Sequence, residues 1–335
     1  MNIVVPMAGM GKRMRPHTLT TPKPLLKVAG KPMVQRLVED IARVTDEKID
    51  EIAFVVGRFG AEAENHLIDV ARSLGAKGSI YYQDEPLGTA HAILCASPCL
   101  KGKTVVAFAD TLFKADFKMD SSSQGTIWVQ KIENPEQFGV VKISNDGFIS
   151  DFVEKPKTFV SDLAIIGIYY FADGENLKKE LQYLIDNNIK DKGEFQLTNA
   201  LENMKKKGMK FVPGKVSEWL DCGNKDATLH TNARILDFVK TAEKLVAESA
   251  VMKDSELIQP CYVGPGAIIS GSKIGPNVSV GANTKISNST ISNSIVGEQC
   301  VLVDATLSNS MLGNFVEYSG ACSNASLGDY CTHKN

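Results

Sequence analysis

The last third of this 335-residue chain carries a short, regular pattern, and that pattern restricts the folds open to it. Aliphatic side chains return at Val263, Ile269, Ile274, Val280, Ile286, Ile291, Val296, Leu302, Leu307 and Leu312, a step of five or six residues throughout. Glycine and small polar residues fill the gaps, as in Ile274-Gly275-Pro276-Asn277-Val278 and Val280-Gly281-Ala282-Asn283. A unit of this size cannot bury an apolar face alone, but stacked copies can, each laying its aliphatic residue on that of its neighbour. The spacing therefore predicts short parallel strands sharing one core. A β-sandwich with Ser/Asn-rich turns is the competing architecture, and ten regular returns argue against it. The five-residue steps leave the number of coils open.

The first 250 residues read differently. Ile3 to Val5, Ile52 to Val56, Ile80 to Tyr82 and Val105 to Ala109 are short, apolar and β-branched or aromatic, as suits strands covered on both faces. Between them Val34, Leu37, Val38, Ile41 and Val44 recur at helical spacing, and Ala61 to Leu74 and Thr89 to Ala96 also read as helices. Such alternation predicts an α/β sheet. Strand signals then dominate from Gly125 to Phe171, with Asn145-Asp146-Gly147 as a turn between two of them. Helical patterns return at Gly174 to Asn187 and Glu194 to Lys207. A further one, from Lys225 to Ser249, has neither Gly nor Pro and reads as a connector. The expected organisation is an α/β domain over 1–228, a connecting helix over 229–250 and the repeat over 251–331.

Composition removes several function classes. Lys+Arg number 37 and Asp+Glu 39, a net charge of -2, which speaks against attachment to nucleic acid or anionic membrane by bulk charge. No apolar stretch reaches the length of a membrane helix. The seven cysteines are scattered, form no CxxC pair and read as reduced thiols. The N-terminus opens on a strand-like run without the pattern of a secretory leader, so the expected location is the cytoplasm.

The chemistry concentrates in a loop leaving the first strand, Ala8-Gly9-Met10-Gly11-Lys12-Arg13-Met14-Arg15-Pro16, followed by Thr21-Pro22-Lys23-Pro24-Leu25-Leu26. Gly9 and Gly11 allow a sharp turn and close approach to a ligand. Successive N–H groups of such a loop make a concave anion site. Arg13 adds a planar fork for phosphate oxygens and Lys23 a compact charge. Gly-Lys-Ser/Thr is absent, and so is the third glycine of the dinucleotide fingerprint. Asp110 ends the strand Val105 to Ala109, where open α/β sheets bind ligands. Read alone, Asp110 is equally a helix cap, Asp221 a cap for the helix near Lys225, and Thr89 the cap of a helix after Pro86-Leu87-Gly88. Glu154 and Lys155 alone are a solvated charge pair.

Taken together these runs resemble the sugar-1-phosphate nucleotidyltransferases, also called sugar-nucleotide pyrophosphorylases. The back third is similar to the hexapeptide repeat of left-handed β-helices. The resemblance implies a Rossmann-like mixed sheet domain followed by a C-terminal left-handed parallel β-helix. It implies that Ala8, Gly9, Gly11, Lys12 and Arg13 wrap a nucleoside triphosphate, with Arg13 and Lys23 neutralising its phosphates. Lys12 stands where the family usually has Thr. Gln83, Gly88 and Thr89 would lie against the base, a side-chain amide being able to pair with a pyrimidine edge. Gly139, Glu154, Lys155 and Glu194 would form the sugar-phosphate side, with Glu154 accepting from sugar hydroxyls and Lys155 holding the phosphate. Asp110 and Asp221 would hold Mg²⁺, a hard cation suited to carboxylates. Arg13, Lys23 and Asp110 are the expected catalytic residues.

The activity so implied joins a sugar 1-phosphate to a nucleoside triphosphate and releases pyrophosphate, with dTTP or UTP and glucose 1-phosphate favoured. Mannose-1-phosphate guanylyl transfer is the main alternative, and cytidylyl transfer to a non-sugar phosphate a weaker one. A non-catalytic regulatory subunit would be expected to lose a cation or carboxylate that this chain keeps. An acyltransferase β-helix would carry a histidine between His230 and His333, where none occurs. None of the five histidines is expected to be catalytic. A homo-oligomer is also expected, since the flat faces and open end of a β-helix make it a natural docking surface.

Overall fold

The computed structural model describes residues 1–334, and within them the chain forms two compact units. The first comprises Met1–Gly9 and Gln35–Trp219; the second comprises Met10–Val34 and the chain from Leu220 onward. The segment Met10–Val34, early in sequence, thus groups with the C-terminal part.

The first unit is built on a mixed sheet in which Ile149–Glu154, Gly139–Ile143, Leu163–Phe171, Thr104–Ala107, Asn2–Pro6, Glu51–Val56 and Lys77–Tyr82 follow one another in space. Asn2–Pro6 pairs in parallel with Glu51–Val56 and Thr104–Ala107, and Glu51–Val56 with Lys77–Tyr82. Leu163–Phe171 runs antiparallel to Thr104–Ala107 and joins Gly125–Lys131 to the sheet. The apolar strands predicted for the centre are wholly buried: Asn2–Pro6, Glu51–Val56 and Thr104–Ala107 expose no residue. The helices Ala61–Ser73, Thr89–Cys95, Gly174–Asp186 and Leu197–Lys206 stand where the sequence places them. Short strands at Thr111–Phe113 and Phe211–Lys215 were not legible in the pattern, being too brief or broken by Pro213-Gly214.

In the second unit all strand pairs of the repeat are parallel, and they form a β-helix. Val251 pairs with Ile268, Ile268 with Lys285, Lys285 with Val301 and Val301 with Glu317, so the chain returns to the same place after 17 or 16 residues. Three faces of five or six residues make one coil, which explains the mixed step in the sequence. Ile269, Ile286 and Leu302 stack in one inward column and Ile274, Ile291 and Leu307 in another, all buried. The corners need left-handed backbone, and Asn277, Asn283, Asn288, Asn293 and Asn309 adopt it, with φ between 42° and 62°. Asparagine tolerates that region better than most side chains. Buried serines link the coils. Ser294 Oγ donates to Ser292 O and accepts from Ser310 N, and Ser310 Oγ donates to Ser308 O and accepts from Ala325 N.

The helix of this unit runs Lys225–Val239, ten residues shorter than the apolar pattern predicts. Asn224 caps it, its side chain accepting from Ala227 N at 3.0 Å. Beyond Val239 the chain turns and Val246 bridges to Val263, so the last expected turns are given over to the first coil. Among the described residues no helix is long and apolar enough to cross a membrane.

Candidate functional site

The expected site residues divide between the units. Ala8, Gly9, Gln83, Gly88, Thr89, Asp110, Gly139, Glu154, Lys155 and Glu194 belong to the first, and Gly11, Lys12, Arg13, Lys23 and Asp221 to the second.

In the first unit, Asp110 follows the central strand Thr104–Ala107 at its carboxyl end. The next element is the strand Thr111–Phe113, so no helix is available for Asp110 to cap. Thr111 fixes the turn, its hydroxyl donating to Ile166 O at 2.6 Å while Phe108 N donates to Gly167 O at 2.9 Å. Gly167 has φ 88°, and a Cβ there would come within 3.2 Å of Thr111 Oγ1.

Gln83, Gly88, Thr89 and Glu194 form one connected patch. Gln83 Nε2 donates to Gly88 O at 3.1 Å and lies 3.1 Å from His91 Nδ1. Nothing in the sequence marks His91 as a partner of Gln83; only its spacing of eight residues, across a turn and one helical turn, could have suggested it. Burial lowers its pKa. Gly88 has φ 118°, and a Cβ there would stand 2.5 Å from Phe195 O, so glycine is required by backbone crossing backbone. Thr89 is the first residue of its helix and makes no cap there. Its hydroxyl instead accepts from Leu197 N at 2.9 Å, at the start of the helix Leu197–Lys206, and donates to Gln196 at 3.2 Å. Gln196 in turn donates to Glu194 Oε2 at 3.0 Å. The residues expected at the base are therefore tied to one expected at the sugar.

Glu154 and Lys155 end the strand Ile149–Glu154. Glu154 Oε2 accepts from Thr198 Oγ1 at 3.3 Å, and a Cβ on Gly139 would come within 3.1 Å of that same oxygen. Gly139 thus leaves room for the carboxylate. Lys155 has φ 43°, an uncommon conformation for a lysine. Phe138 O accepts from its N–H at 3.1 Å, and Lys192 Nζ donates to the carbonyls of Lys155 at 2.9 Å and Glu154 at 3.3 Å. Lys192, unmarked in the sequence, thus places its ammonium against the backbone of the turn, while the exposed Lys155 side chain lies 3.7 Å from Glu154 Oε1.

In the second unit the glycine loop turns at Gly11, φ 58°, whose carbonyl accepts from Thr18 Oγ1 at 2.9 Å. A Cβ on Gly11 would meet Lys23 Cβ at 2.9 Å. The turn therefore lays Lys23 against the loop, and Lys23 is buried. Arg13 is exposed on the short 3₁₀ turn Lys12–Met14. Asp221 is not the cap of the helix that follows, since Asn224 is. A Cβ on Gly223 would stand 2.8 Å from Asp221 Oδ2 and 3.2 Å from Arg13 Nη2. The bare face of Gly223 thus lets the loop arginine and the carboxylate gather at one point. Asp221 O accepts from Thr231 Oγ1 at 2.8 Å.

Comparison with known proteins places the chain in a family. The family model for nucleotidyl transferases matches residues 3–237. The glucose-1-phosphate thymidylyltransferase of Streptomyces antibioticus is 29% identical over 342 residues, covering 95% of this chain and 93% of the relative. The low-salt glycan biosynthesis nucleotidyltransferase Agl11 of Haloferax volcanii is 30% identical over 335 residues, covering 91% and 90%. Among solved structures, a Bacillus anthracis protein assigned as a glucose-1-phosphate thymidylyltransferase and crystallised with sucrose superposes with a TM-score of 0.59 at 25% identity, over 70% of this chain and 94% of that one. With a family model spanning well over half its length, this chain belongs to the nucleotidyl transferase family.

Proposed function

We propose that the protein transfers a nucleotidyl group from a nucleoside triphosphate, with dTTP or UTP favoured, to a sugar 1-phosphate, with glucose 1-phosphate favoured, and releases pyrophosphate. The observation that carries this reading is the cluster at Glu154. There a carboxylate that accepts from Thr198 Oγ1 precedes Lys155, and Lys192, from a separate loop, donates to the carbonyls of both residues. A carboxylate suits sugar hydroxyls and an exposed ammonium such as that of Lys155 suits a phosphate, and a sugar 1-phosphate offers both. The names of the two full-length relatives support the same class.

The reaction needs no protein nucleophile. A phosphate oxygen of the sugar 1-phosphate attacks the α-phosphorus in line, and the bond to pyrophosphate breaks. The protein's part is positioning and charge compensation. Lys155 holds the incoming phosphate, while Arg13 and Lys23 offset charge on the attacked phosphorus and the leaving group. Asp110 and Asp221 each offer hard carboxylate oxygens from a strand end, a donor type that fits Mg²⁺. The ion would neutralise phosphate charge when bound. In this reading the enzyme works in the cytoplasm as a homo-oligomer; a monomeric mass in light scattering would remove the oligomer.

The test is a matrix of five triphosphates against several sugar 1-phosphates, with and without Mg²⁺, read by pyrophosphate release. Turnover is expected with dTTP or UTP and glucose 1-phosphate. A maximum at GTP with mannose 1-phosphate would reassign the substrates, and a blank across all pairs would end the transferase reading.

A further inference from the structure

Three parallel strands of the first unit end on one edge of the sheet: Asn2–Pro6 ahead of Ala8 and Gly9, Thr104–Ala107 ahead of Asp110, and Lys77–Tyr82 ahead of Gln83. The carboxyl ends of such strands are where open α/β sheets bind ligands. Gln83 continues the ladder by one bond, its N–H donating to Val56 O at 2.9 Å, and its side chain is half-buried. Two contacts settle which way its amide points. Nε2 lies 3.1 Å from Gly88 O, and a carbonyl can only accept, so the nitrogen and not the oxygen must face it. Gly88 O is fixed in turn by accepting from Ala92 N at 3.1 Å in the helix Thr89–Cys95. The same Nε2 lies 3.1 Å from His91 Nδ1. A flipped amide would set Oε1 against the Gly88 carbonyl, acceptor against acceptor. His91 Nδ1 therefore accepts, and the ring proton sits on Nε2. Among the described residues Gln83 Oε1 has no hydrogen-bond partner, yet it is not a buried orphan, so it is the atom open to a ligand.

We propose that His91 is a positioning residue which holds Gln83 as an acceptor, and that the site thereby selects a pyrimidine carrying N3–H, thymine or uracil, against cytosine. This selection rests on the transferase reading, which brings the base of a nucleoside triphosphate to Gln83. Thymine and uracil present a ring N–H where cytosine presents an unprotonated ring nitrogen. Oε1 accepts from the first and meets the lone pair of the second. An amide free to turn would serve both bases, offering oxygen to one and nitrogen to the other. Two bonds made by the one nitrogen remove that freedom. Both partners belong to the start of one helix, Gly88 immediately before it and His91 as its third residue. Burial lowers the pKa of His91, outweighing the pull of Glu85, and so favours the neutral ring that can accept.

The probes are dTTP, N3-methyl-dTTP and dCTP, titrated calorimetrically into the full chain with Mg²⁺ present. The parent protein is expected to bind dTTP about ten-fold tighter than either of the others, the ratio one net hydrogen bond supplies. His91→Leu should weaken dTTP several-fold and bring the dTTP-to-dCTP ratio towards one. His91→Gln, whose side-chain oxygen can accept from the same Nε2, should restore the ratio, which a merely structural role for the ring would not do. Selection of dTTP by a parent protein that releases no pyrophosphate would support the role of His91 while ending the transferase reading. Equal affinity of the parent for dTTP and dCTP, with Oε1 meeting the exocyclic amine of cytosine instead, would overturn the proposal. So would equal affinity for dTTP and N3-methyl-dTTP, no saturable binding of dTTP, or a dTTP-to-dCTP ratio unchanged in His91→Leu.

Discussion

Lys155 shows how much of the site depends on single residues. Its left-handed backbone is held by Lys192, whose ammonium spans two carbonyls of the turn. Lys192→Ala should therefore raise KM for the sugar 1-phosphate several-fold while changing kcat less, because it loosens binding of a group present before and during reaction. Lys23→Ala and Asp110→Asn should act on turnover instead. By comparison with removal of one oxyanion donor, each should cost roughly 2.7–4 kcal/mol, or about 10²–10³ in kcat. Unchanged circular dichroism with near-normal pyrophosphate release would refute their roles. Arg13 and Lys23 stand out in the sequence because one follows a Gly-x-Gly loop and the other sits in Pro-Lys-Pro, whereas Glu154 and Lys155, alone a solvated charge pair, are singled out only by the family resemblance. Lys192 does not stand out, because its partners are backbone carbonyls almost forty residues away and any lysine could have filled the position.

Elements were legible where a period was long enough to show. The central strands and four helices of the first unit follow from apolar runs and 3.6-residue spacing. The end of the helix Lys225–Val239 did not, since apolar residues continue past it as the entry to the β-helix. Asn232 on that helix was also invisible, a polar residue at a core position. It is fully buried; its Oδ1 accepts from Ala29 N at 2.9 Å and from Ser279 Oγ at 2.7 Å, and its Nδ2 donates to Asn277 O at 3.4 Å. One amide thus joins three elements of the second unit: the Met10–Val34 segment, the helix and the β-helix. Asn232→Leu strands buried donors and should lower unfolding free energy by about 1–3 kcal/mol in urea titration. A stability within error of the parent would show that the three elements do not depend on it.

The whole molecule should carry a specific acid sensitivity through His17. Burial lowers its folded pKa from 6.5 to about 4, the nearby Asp329 opposing and Lys225 adding to the shift. Between those values the unfolded chain binds a proton that the folded chain refuses. Stability therefore rises with pH across that window, is fully present above about pH 6.5, and is lost as pH falls towards 4. The size is on the order of 3 kcal/mol. Other groups titrate in the same range, so the quantity to measure is the parent's loss between pH 7 and pH 4 minus that of His17→Phe. A zero difference would show that His17 does not titrate differently on folding. Neither the depth at which His17 lies nor the grouping of Met10–Val34 with the back of the chain could be read from sequence, because both depend on contacts some 300 residues apart.

The serine links of the β-helix make the coil a unit of length. Ser294 and Ser310 occupy the same place in successive coils, each taking the amide of the next. Excising residues 294–309 joins Asn293 to Ser310 and leaves every remaining column in phase, as removing one course of brick lowers a wall without opening it. Cutting eight residues from the same stretch, about one and a half faces, turns the aliphatic side chains that follow away from the core. The sixteen-residue deletion should give a folded protein and the eight-residue deletion an insoluble one, so the β-helix can shorten or lengthen over evolution only by steps that keep its aliphatic residues facing inward.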